Sequence, residues 1–154
     1  MDIYLLVFSP ILVYFLFLLL SGNDEPELKN LNLKSREDSK TLVILLHSFK
    51  NSAKDMNDIH RICEESLDGN IDYFIPTYTL NFFSNDCLEK IALLLEGTIN
   101  YFFNDKIEEK KYDKVVLIGH SVGALLARKI YLIGNDDRIK KKSIWVNNVD
   151  RIIL

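Results

Sequence analysis

The sequence predicts an α/β domain with a mainly parallel sheet of about four strands, flanked by helices and preceded by an N-terminal transmembrane helix. Two observations predict the domain: apolar runs of strand length recur along the chain, and segments with apolar residues at helical spacing separate them. A third observation predicts the membrane helix, because residues 3–20 are apolar apart from Ser9 and Pro10. The sequence contains no internal repeat and no low-complexity tract.

The apolar segment near the N-terminus is long enough to cross a bilayer. At about 1.5 Å per residue, residues 3–20 span roughly 27 Å, close to the roughly 30 Å of a hydrocarbon core. A signal peptide is the rival interpretation: the basic n-region is missing and the run exceeds the usual length, but Ser21 and Gly22 offer small residues for cleavage. A helix buried inside the protein is the third interpretation of this segment. We therefore expect residues 1–21 to be a transmembrane anchor or a signal segment.

The segment after the anchor changes composition abruptly. Residues 22–40 are charged and polar with one proline, which is typical of an exposed linker, and a short strand is expected at 31–33. The positive-inside bias of the basic residues in this segment places the C-terminal part in the cytosol. These residues are Lys29, Lys34, Arg36 and Lys40. We therefore predict a membrane location through a single N-terminal anchor, with secretion as the alternative and the orientation left open.

The rest of the chain has the composition of one globular domain, residues 41–154. A net charge of -3 and a pI near 5.6 give no basic field, which argues against nucleic acid as a partner. Cys63 and Cys87 are neither a disulfide framework nor a metal set, and both are expected on helices as small core residues. No cluster has metal-ligand spacing, so we expect no metal and no cofactor.

The hydrophobic pattern gives the order of elements in this domain. Residues 41–46 form a continuous apolar run without alternation, which is typical of a central parallel strand covered on both faces. A helix is expected over 53–66, with Ser52 and Asp55 in a capping arrangement. The remaining elements are a strand over 72–76, a helix within 85–108, a strand over 114–118, a helix over 124–133, a charged turn over 135–142 and a strand from 149 to 154.

One short motif lies where the third of these strands meets the next helix. Residues 119–123 read Gly-His-Ser-Val-Gly. A dinucleotide fingerprint would need glycine where the chain has Ser121 and Ala124, and a phosphate-binding loop would need Gly-Lys-Ser/Thr, which is absent. The pattern G-x-S-x-G does match, in the strand-to-helix context of a nucleophile elbow. An incidental Gly-Ser turn is the alternative.

With this motif, residues 41–154 resemble the lipase and esterase-like members of the α/β-hydrolase superfamily. A second motif supports the resemblance: the strand that ends at residues 45–49, Leu-Leu-His-Ser-Phe, where the family commonly has His-Gly-x. The resemblance implies that Ser121 is a nucleophile acting on carboxylic esters, either small molecules or lipids. It also implies that the backbone N–H groups of Phe49 and Val122 form the oxyanion hole.

The chain departs from the family pattern within the second motif and after the first. Ser48 stands where the family usually has glycine, which puts the turn at Phe49 in doubt. A serine nucleophile also needs an imidazole base and a carboxylate, which follow the serine in this superfamily. No histidine follows His120, which is adjacent to the nucleophile and resembles the common filler of that motif. His47 is expected to be structural, and His60 also precedes the motif.

The carboxylates that follow the motif have ordinary interpretations. Asp136 and Asp137 lie in the charged turn and are expected to be solvated, and Asp150 precedes an apolar strand. We therefore interpret residues 41–154 as the N-terminal half of an α/β-hydrolase domain, a truncated α/β-hydrolase fold, that alone is a poor esterase or inactive. The alternative is a non-catalytic, membrane-tethered fragment or binding module that retains the elbow. A separate chain that supplies the missing half is a further possibility.

Overall fold

The computed structural model describes residues 28–29, 33–34, 39–49, 51–66, 71–79, 85–104, 112–138 and 142–154. The expected anchor, residues 1–21, lies outside these residues and stays a prediction. Among the helices of the described ranges, none combines the length and the apolar character needed to cross a bilayer.

The elements alternate between strands and helices, as the sequence predicts. The strands are β1 (Leu28–Lys29), β2 (Leu33–Lys34), β3 (Thr41–Leu46), β4 (Ile71–Phe74), β5 (Thr77–Tyr78), β6 (Lys114–Gly119) and β7 (Val149–Ile153). The α-helices are α1 (Asn57–Ser66), α2 (Asn85–Asn104) and α3 (Val122–Gly134). Two 3-10 helices, Ala53–Met56 and Ile144–Asn148, precede α1 and β7.

Five of the strands form one sheet in the order β2-β4-β3-β6-β7. Four of them, β4, β3, β6 and β7, run parallel, and β2 pairs antiparallel with β4 at one edge. The prediction of a mainly parallel sheet of about four strands is confirmed at this level. The segment expected to be a linker contributes β1 and β2, and β1 forms a separate antiparallel ladder with β5.

The central strand β3 is covered on both faces. Leu42, Ile44 and Leu46 pack on one side against α2 and α3, whereas Val43 and Leu45 pack on the other side against α1. The side chains of residues 42–46 are all fully buried. Burial on both faces is the reason that this strand has no polar alternation.

The first helical segment begins where the sequence predicts. Ser52 and Asp55 form a reciprocal capping box at the 3-10 helix, with the Ser52 N–H donating to Asp55 Oδ2 at 2.7 Å. The apolar stripe Met56, Ile59 and Cys63 faces the sheet. The helix expected over 53–66 is therefore present, with its first turn in 3-10 form.

A buried carboxylate joins α2 to the segment before β7. Glu96 of α2 accepts hydrogen bonds from the Ser143 hydroxyl and, at 3.4 Å, from the Trp145 indole N–H. Trp145 is fully buried in the core on this face of the sheet. Trp145 is therefore a core residue.

Candidate active site

Two turns meet at the carboxyl-terminal edge of the sheet. Leu46 ends β3 and pairs with Gly119, which ends β6. The His120 N–H donates to the Leu46 carbonyl at 3.0 Å, so the pairing continues one residue past the end of β6. The turn that carries Phe49 and the turn that carries Ser121 therefore leave the sheet side by side, where parallel α/β sheets place their chemistry.

Ser121 has an unusual backbone conformation between β6 and α3. Among the non-glycine residues that the structure describes, it alone has a positive φ, 56°, with ψ at -116°. A residue in the left-handed helical region would have ψ near +47°, so Ser121 lies in a less populated region, which costs on the order of 1–3 kcal/mol. The residue is exposed, and its side chain does not cap the helix. Ser121 is thus an exposed residue in the turn between β6 and α3, and its hydroxyl is not used to cap the helix.

The two glycines of the motif allow α3 to lie directly against the strand ends. A Cβ on Gly119 would overlap the backbone of Gly123 and would lie 2.5 Å from the Ala124 nitrogen. A Cβ on Gly123 would overlap the Leu46 carbonyl oxygen and would lie 2.8 Å from the His47 carbonyl oxygen. Both glycines are therefore required by close backbone approach, which is the reason for the G-x-S-x-G spacing.

The N-terminus of α3 presents backbone donors beside Ser121. The N–H groups of Gly123 and Ala124 donate at 2.9 Å to the carbonyls of His120 and Ser121, which closes the turn. Val122 is the first residue of the helix, and an N–H at that position has no acceptor within the helix. The helix dipole places partial positive charge at the same end, which suits a developing oxyanion.

Phe49 lies in the neighbouring turn, two residues after His47, and is half-buried. The turn is closed by the Asn51 N–H, which donates to the Ser48 carbonyl at 3.2 Å. The structure brings Phe49, Val122 and Ser121 to the same edge of the sheet.

Hydrogen bonds and a stacked aromatic ring fix the position of His47. Its Nδ1 lies 2.8 Å from the Ser48 carbonyl, and its Nε2 accepts the Tyr78 N–H at 3.2 Å. The Tyr78 ring stacks on the imidazole with centroids 3.9 Å apart, and the Tyr78 hydroxyl donates to the His47 carbonyl. Burial lowers the pKa of His47, because desolvation disfavours the charged imidazolium. His47 is a neutral, structural histidine that fixes the turn before Phe49.

The other two histidines are placed differently. His60 lies on α1, on the opposite face of the sheet from α3, where its ring meets Tyr73 edge to face at 4.3 Å. Its Nε2 lies 3.5 Å from the Glu64 carboxylate. His120 is exposed in the turn itself. Within the described part of the chain, no imidazole is hydrogen-bonded to the Ser121 hydroxyl.

The acidic residues after the motif lie at the far edge of the sheet. Asp136 follows the end of α3, and a helix over residues 122–134 carries it roughly 20 Å from the turn. Its carboxylate accepts hydrogen bonds from Arg138, which lower the pKa of Asp136. Asp137 is exposed beside it, and Asp150 is exposed at the start of β7 beside Arg151. Of the two carboxylates expected to be solvated, Asp137 is exposed, whereas the Asp136 side chain is only 20% exposed and is paired with Arg138.

Sequence reasoning missed Tyr78, the partner of His47. The two residues are 31 positions apart, and β5 contributes only two residues to its ladder, so no periodicity marks Tyr78. The nearby signal was Pro76, which lies between the end of β4 at Phe74 and the start of β5 at Thr77.

Comparison with known proteins agrees with this geometry at the level of the family. A search of curated proteins and a search of solved structures found no significant match. One protein family, with the description "Putative serine esterase (DUF676)", matches residues 36–150, which is well over half of the chain and includes both turns. The chain belongs to this DUF676 family of serine esterase-like proteins.

Proposed function

We propose that residues 41–154 carry the nucleophile and the oxyanion donors of an α/β-hydrolase-type esterase that acts on carboxylic esters. The observation that carries this proposal is the backbone of Ser121, which is held at positive φ between a strand and a helix by two glycines that cannot be replaced without a clash. Strain at an exposed serine is expected where the hydroxyl must point outward for chemistry. The family match supports the same class of activity.

The proposed reaction is acyl transfer through the serine. Ser121 Oγ attacks the ester carbonyl, and the N–H groups of Val122 and Phe49 stabilise the oxyanion of the tetrahedral intermediate. The C–O bond to the alcohol then breaks, the alcohol leaves with a proton, and the acyl group stays on Ser121. Water hydrolyses this acyl-enzyme to the acid and restores the hydroxyl. Both steps need a base that accepts a proton and returns it.

The reaction needs a base beside Ser121. In the positions that the structure describes, none of the three histidines of this sequence supplies it. Both ring nitrogens of His47 have partners, and His60 lies on the other face of the sheet. A further polypeptide that contributes an Asp or Glu and a His would complete the triad. The same observation favours a second candidate function, a non-catalytic binding module that keeps the elbow without turnover.

We also propose that residues 3–20 anchor the protein in a membrane. The support is the sequence alone: a run that is apolar apart from Ser9 and Pro10 and long enough for a bilayer, followed by a charged and polar segment. An anchor of this kind holds the domain beside a lipid surface, and lipid esters are then candidate substrates next to small-molecule esters.

The test of the proposed activity is hydrolysis of short-chain p-nitrophenyl esters by the full chain, beside a Ser121→Ala control. Without a base, loss of a triad member removes most of the rate and leaves about 10³ to 10⁴-fold over water from the oxyanion hole and binding. We therefore expect turnover close to that of Ser121→Ala. Ser121-dependent turnover well above the control would mean that a base acts within this chain, and His47 would be the first residue to replace.

A further inference from the structure

The helices on the two faces of the sheet expose different kinds of side chain. The helices α2 and α3 pack on one face, and α1 packs on the other. Of the seven residues of α1 that the structure describes as exposed, one is large and apolar, Ile62. Of the nine on α2 and α3, five are large and apolar: Leu93, Leu94, Tyr101, Leu125 and Leu132. The other exposed apolar side chains of the described ranges lie outside these helices: Ile144, Ile153 and Leu154.

Three of these leucines surround an ion pair that joins α2 to α3. The Lys129 Nζ lies 2.9 Å from the Glu89 carboxylate. Leu125 and Leu132 lie four residues before and three residues after Lys129, and Leu93 lies four residues after Glu89. This spacing puts each leucine on the same side of its helix as the ion pair. The three leucines therefore form one exposed patch across the two helices, which we call the leucine patch.

The charges on the two helical faces have opposite signs. The exposed charged residues of α1 are three acids and one base, namely Asp58, Glu64, Glu65 and Arg61. Apart from the buried Glu96, the described charged residues of α2 and α3 are one acid and three bases, namely Glu89, Lys90, Arg128 and Lys129. An anionic surface is therefore attracted to the face of α2 and α3 and repelled by the face of α1.

We propose that the leucine patch and the basic residues beside it bind the surface of a bilayer with anionic headgroups. Exposed apolar side chains enter the headgroup region, and basic groups attract anionic lipids, so both features select the same face. The sheet then lies along the membrane and α1 faces water. The proposal rests on the anchor proposed above, which brings the domain to a bilayer, and does not depend on hydrolytic activity. Because Ser121 directly precedes α3, it lies within about one helix diameter, roughly 10–12 Å, of the lipid.

The test compares how close the two faces lie to the lipid. Single cysteines replace an exposed residue on each face, Gly97→Cys on α2 and Arg61→Cys on α1, in a full-length chain in which Cys63 and Cys87 are replaced by alanine. A Cβ at Gly97 meets no atom within 4 Å, so the substitution is tolerated. The two positions are separated by at least two helix diameters, roughly 20 Å.

Each protein is labelled with a donor dye and reconstituted in vesicles of phosphatidylcholine and phosphatidylserine that carry an acceptor dye on the headgroup. Vesicle flotation measures membrane binding, and energy transfer to the acceptor measures proximity. We expect both proteins to float and energy transfer to be stronger from position 97 than from position 61. Vesicles of phosphatidylcholine alone should reduce this difference, because they do not attract the basic residues.

Substitutions in the leucine patch test which side chains make the contact. Leu125→Gln combined with Leu132→Gln should abolish the difference in energy transfer between the two positions. Ile62→Gln on α1 is the matched control, since Ile62 is 55% exposed and Leu132 is 53% exposed, and it should leave the difference unchanged.

Three results would contradict the proposal. Equal or reversed transfer in floating protein, as expected if another protein covers the patch, would overturn the orientation and leave the anchor and the esterase proposal intact. A difference that survives the double leucine substitution, or that does not depend on phosphatidylserine, would overturn the assignment of the contact to this patch. Protein that stays out of the floated fraction would overturn the anchor, and the orientation with it.

Discussion

Ser121 holds a backbone conformation that its own side chain disfavours. At φ 56° and ψ -116°, a Cβ is strained by the neighbouring carbonyls, and the Ser121 side chain makes no capping hydrogen bond in return. Glycine relieves that strain, although it also loses more conformational entropy on folding. The conformation is therefore a stability cost that is consistent with a functional role for the hydroxyl.

We predict that Ser121→Gly raises the free energy of unfolding by about 1 kcal/mol, whereas Ser121→Ala changes it little, because alanine keeps the Cβ. Trp145, the single tryptophan and fully buried, reports unfolding in urea by its fluorescence. Equal stability of the glycine and alanine variants would contradict the claim that the Ser121 backbone is strained.

His47 makes the stability of the site depend on pH. Burial lowers the pKa of His47 below its ordinary value of about 6.5, and protonation would remove the Nε2 acceptor of the Tyr78 N–H. The charge of Asp55 opposes this shift and raises the pKa of His47 by a smaller amount. Tyr78, which is stacked on the imidazole, is also titratable, but burial raises the pKa of its hydroxyl, so it stays neutral. The unfolded chain therefore binds the proton more readily than the folded chain.

Because the unfolded chain binds the proton more readily, the contribution of His47 to stability is complete above about pH 6.5. It is lost as the pH falls toward the lowered pKa of the folded state. We predict that the unfolding midpoint decreases between about pH 7 and about pH 5, and that His47→Gln, which does not titrate, has a flatter profile over this range. Urea unfolding at several pH values measures both profiles. Parallel profiles for the two proteins would show that another group accounts for the pH dependence.

The residues of the elbow were predictable from the sequence, and the partner of His47 was not. Gly119, Ser121 and Gly123 lie within five consecutive residues, so a local pattern is enough to find them. Tyr78 contacts His47 only because β5 turns back across the edge of the sheet, and that contact depends on tertiary structure.

At the scale of elements, the close packing of α3 against β3 depends on one glycine. The backbone of Gly123 lies so near Leu46 that a Cβ would stand 2.7 Å from the Leu46 carbonyl carbon. This approach places the N-terminus of α3, and with it the Val122 N–H, beside the end of β3. The position of the candidate oxyanion donors is thus a consequence of helix-to-strand packing.

We predict that Gly123→Ala lowers the free energy of unfolding by about 1–3 kcal/mol, because backbone atoms must move to admit the methyl group. Gly97→Ala is the matched control: it lies in α2 with no atom within 4 Å of the added Cβ, and it should raise stability by up to about 1 kcal/mol. Urea midpoints of the two variants are compared with that of the parent. A Gly123→Ala variant as stable as Gly97→Ala would contradict the close approach.

The strength of the sequence pattern decided which elements could be predicted. The apolar run of β3 was evident because both of its faces are buried, and the stripe of α1 was evident from its helical spacing. β1 and β5 have two residues each, too few for any periodicity, and each forms by pairing with the other. A short strand was expected at 31–33, and β2 overlaps it only at Leu33. The 3-10 helix Ile144–Asn148 carries Trp145, whose indole N–H donates to Glu96 of α2, a contact between segments far apart in the sequence.

At the scale of the whole molecule, the carboxyl-terminal edge of the sheet gathers the elbow, the turn of Phe49 and the attachment point of the N-terminal segment. The parallel orientation of the four strands was predictable, because strands that alternate with helices form parallel sheets. The position of β1 at this edge was not, because it depends on pairing with β5. The arrangement brings the proposed nucleophile and the proposed oxyanion donors to one edge of the sheet, where none of the three histidines is hydrogen-bonded to Ser121.

The central claim of the proposed function is therefore that Ser121 is a nucleophile held in position without the imidazole and carboxylate that would activate it. Added imidazole can replace a missing base, and the most direct test measures acetyl transfer from p-nitrophenyl acetate to the protein by mass spectrometry, with and without imidazole. The full chain and Ser121→Ala are compared, so that the reaction of imidazole itself is subtracted. We predict little acetylation of Ser121 without imidazole and an increase with imidazole in the parent chain alone. Rapid Ser121 acetylation without imidazole, or none even with it, would contradict the account.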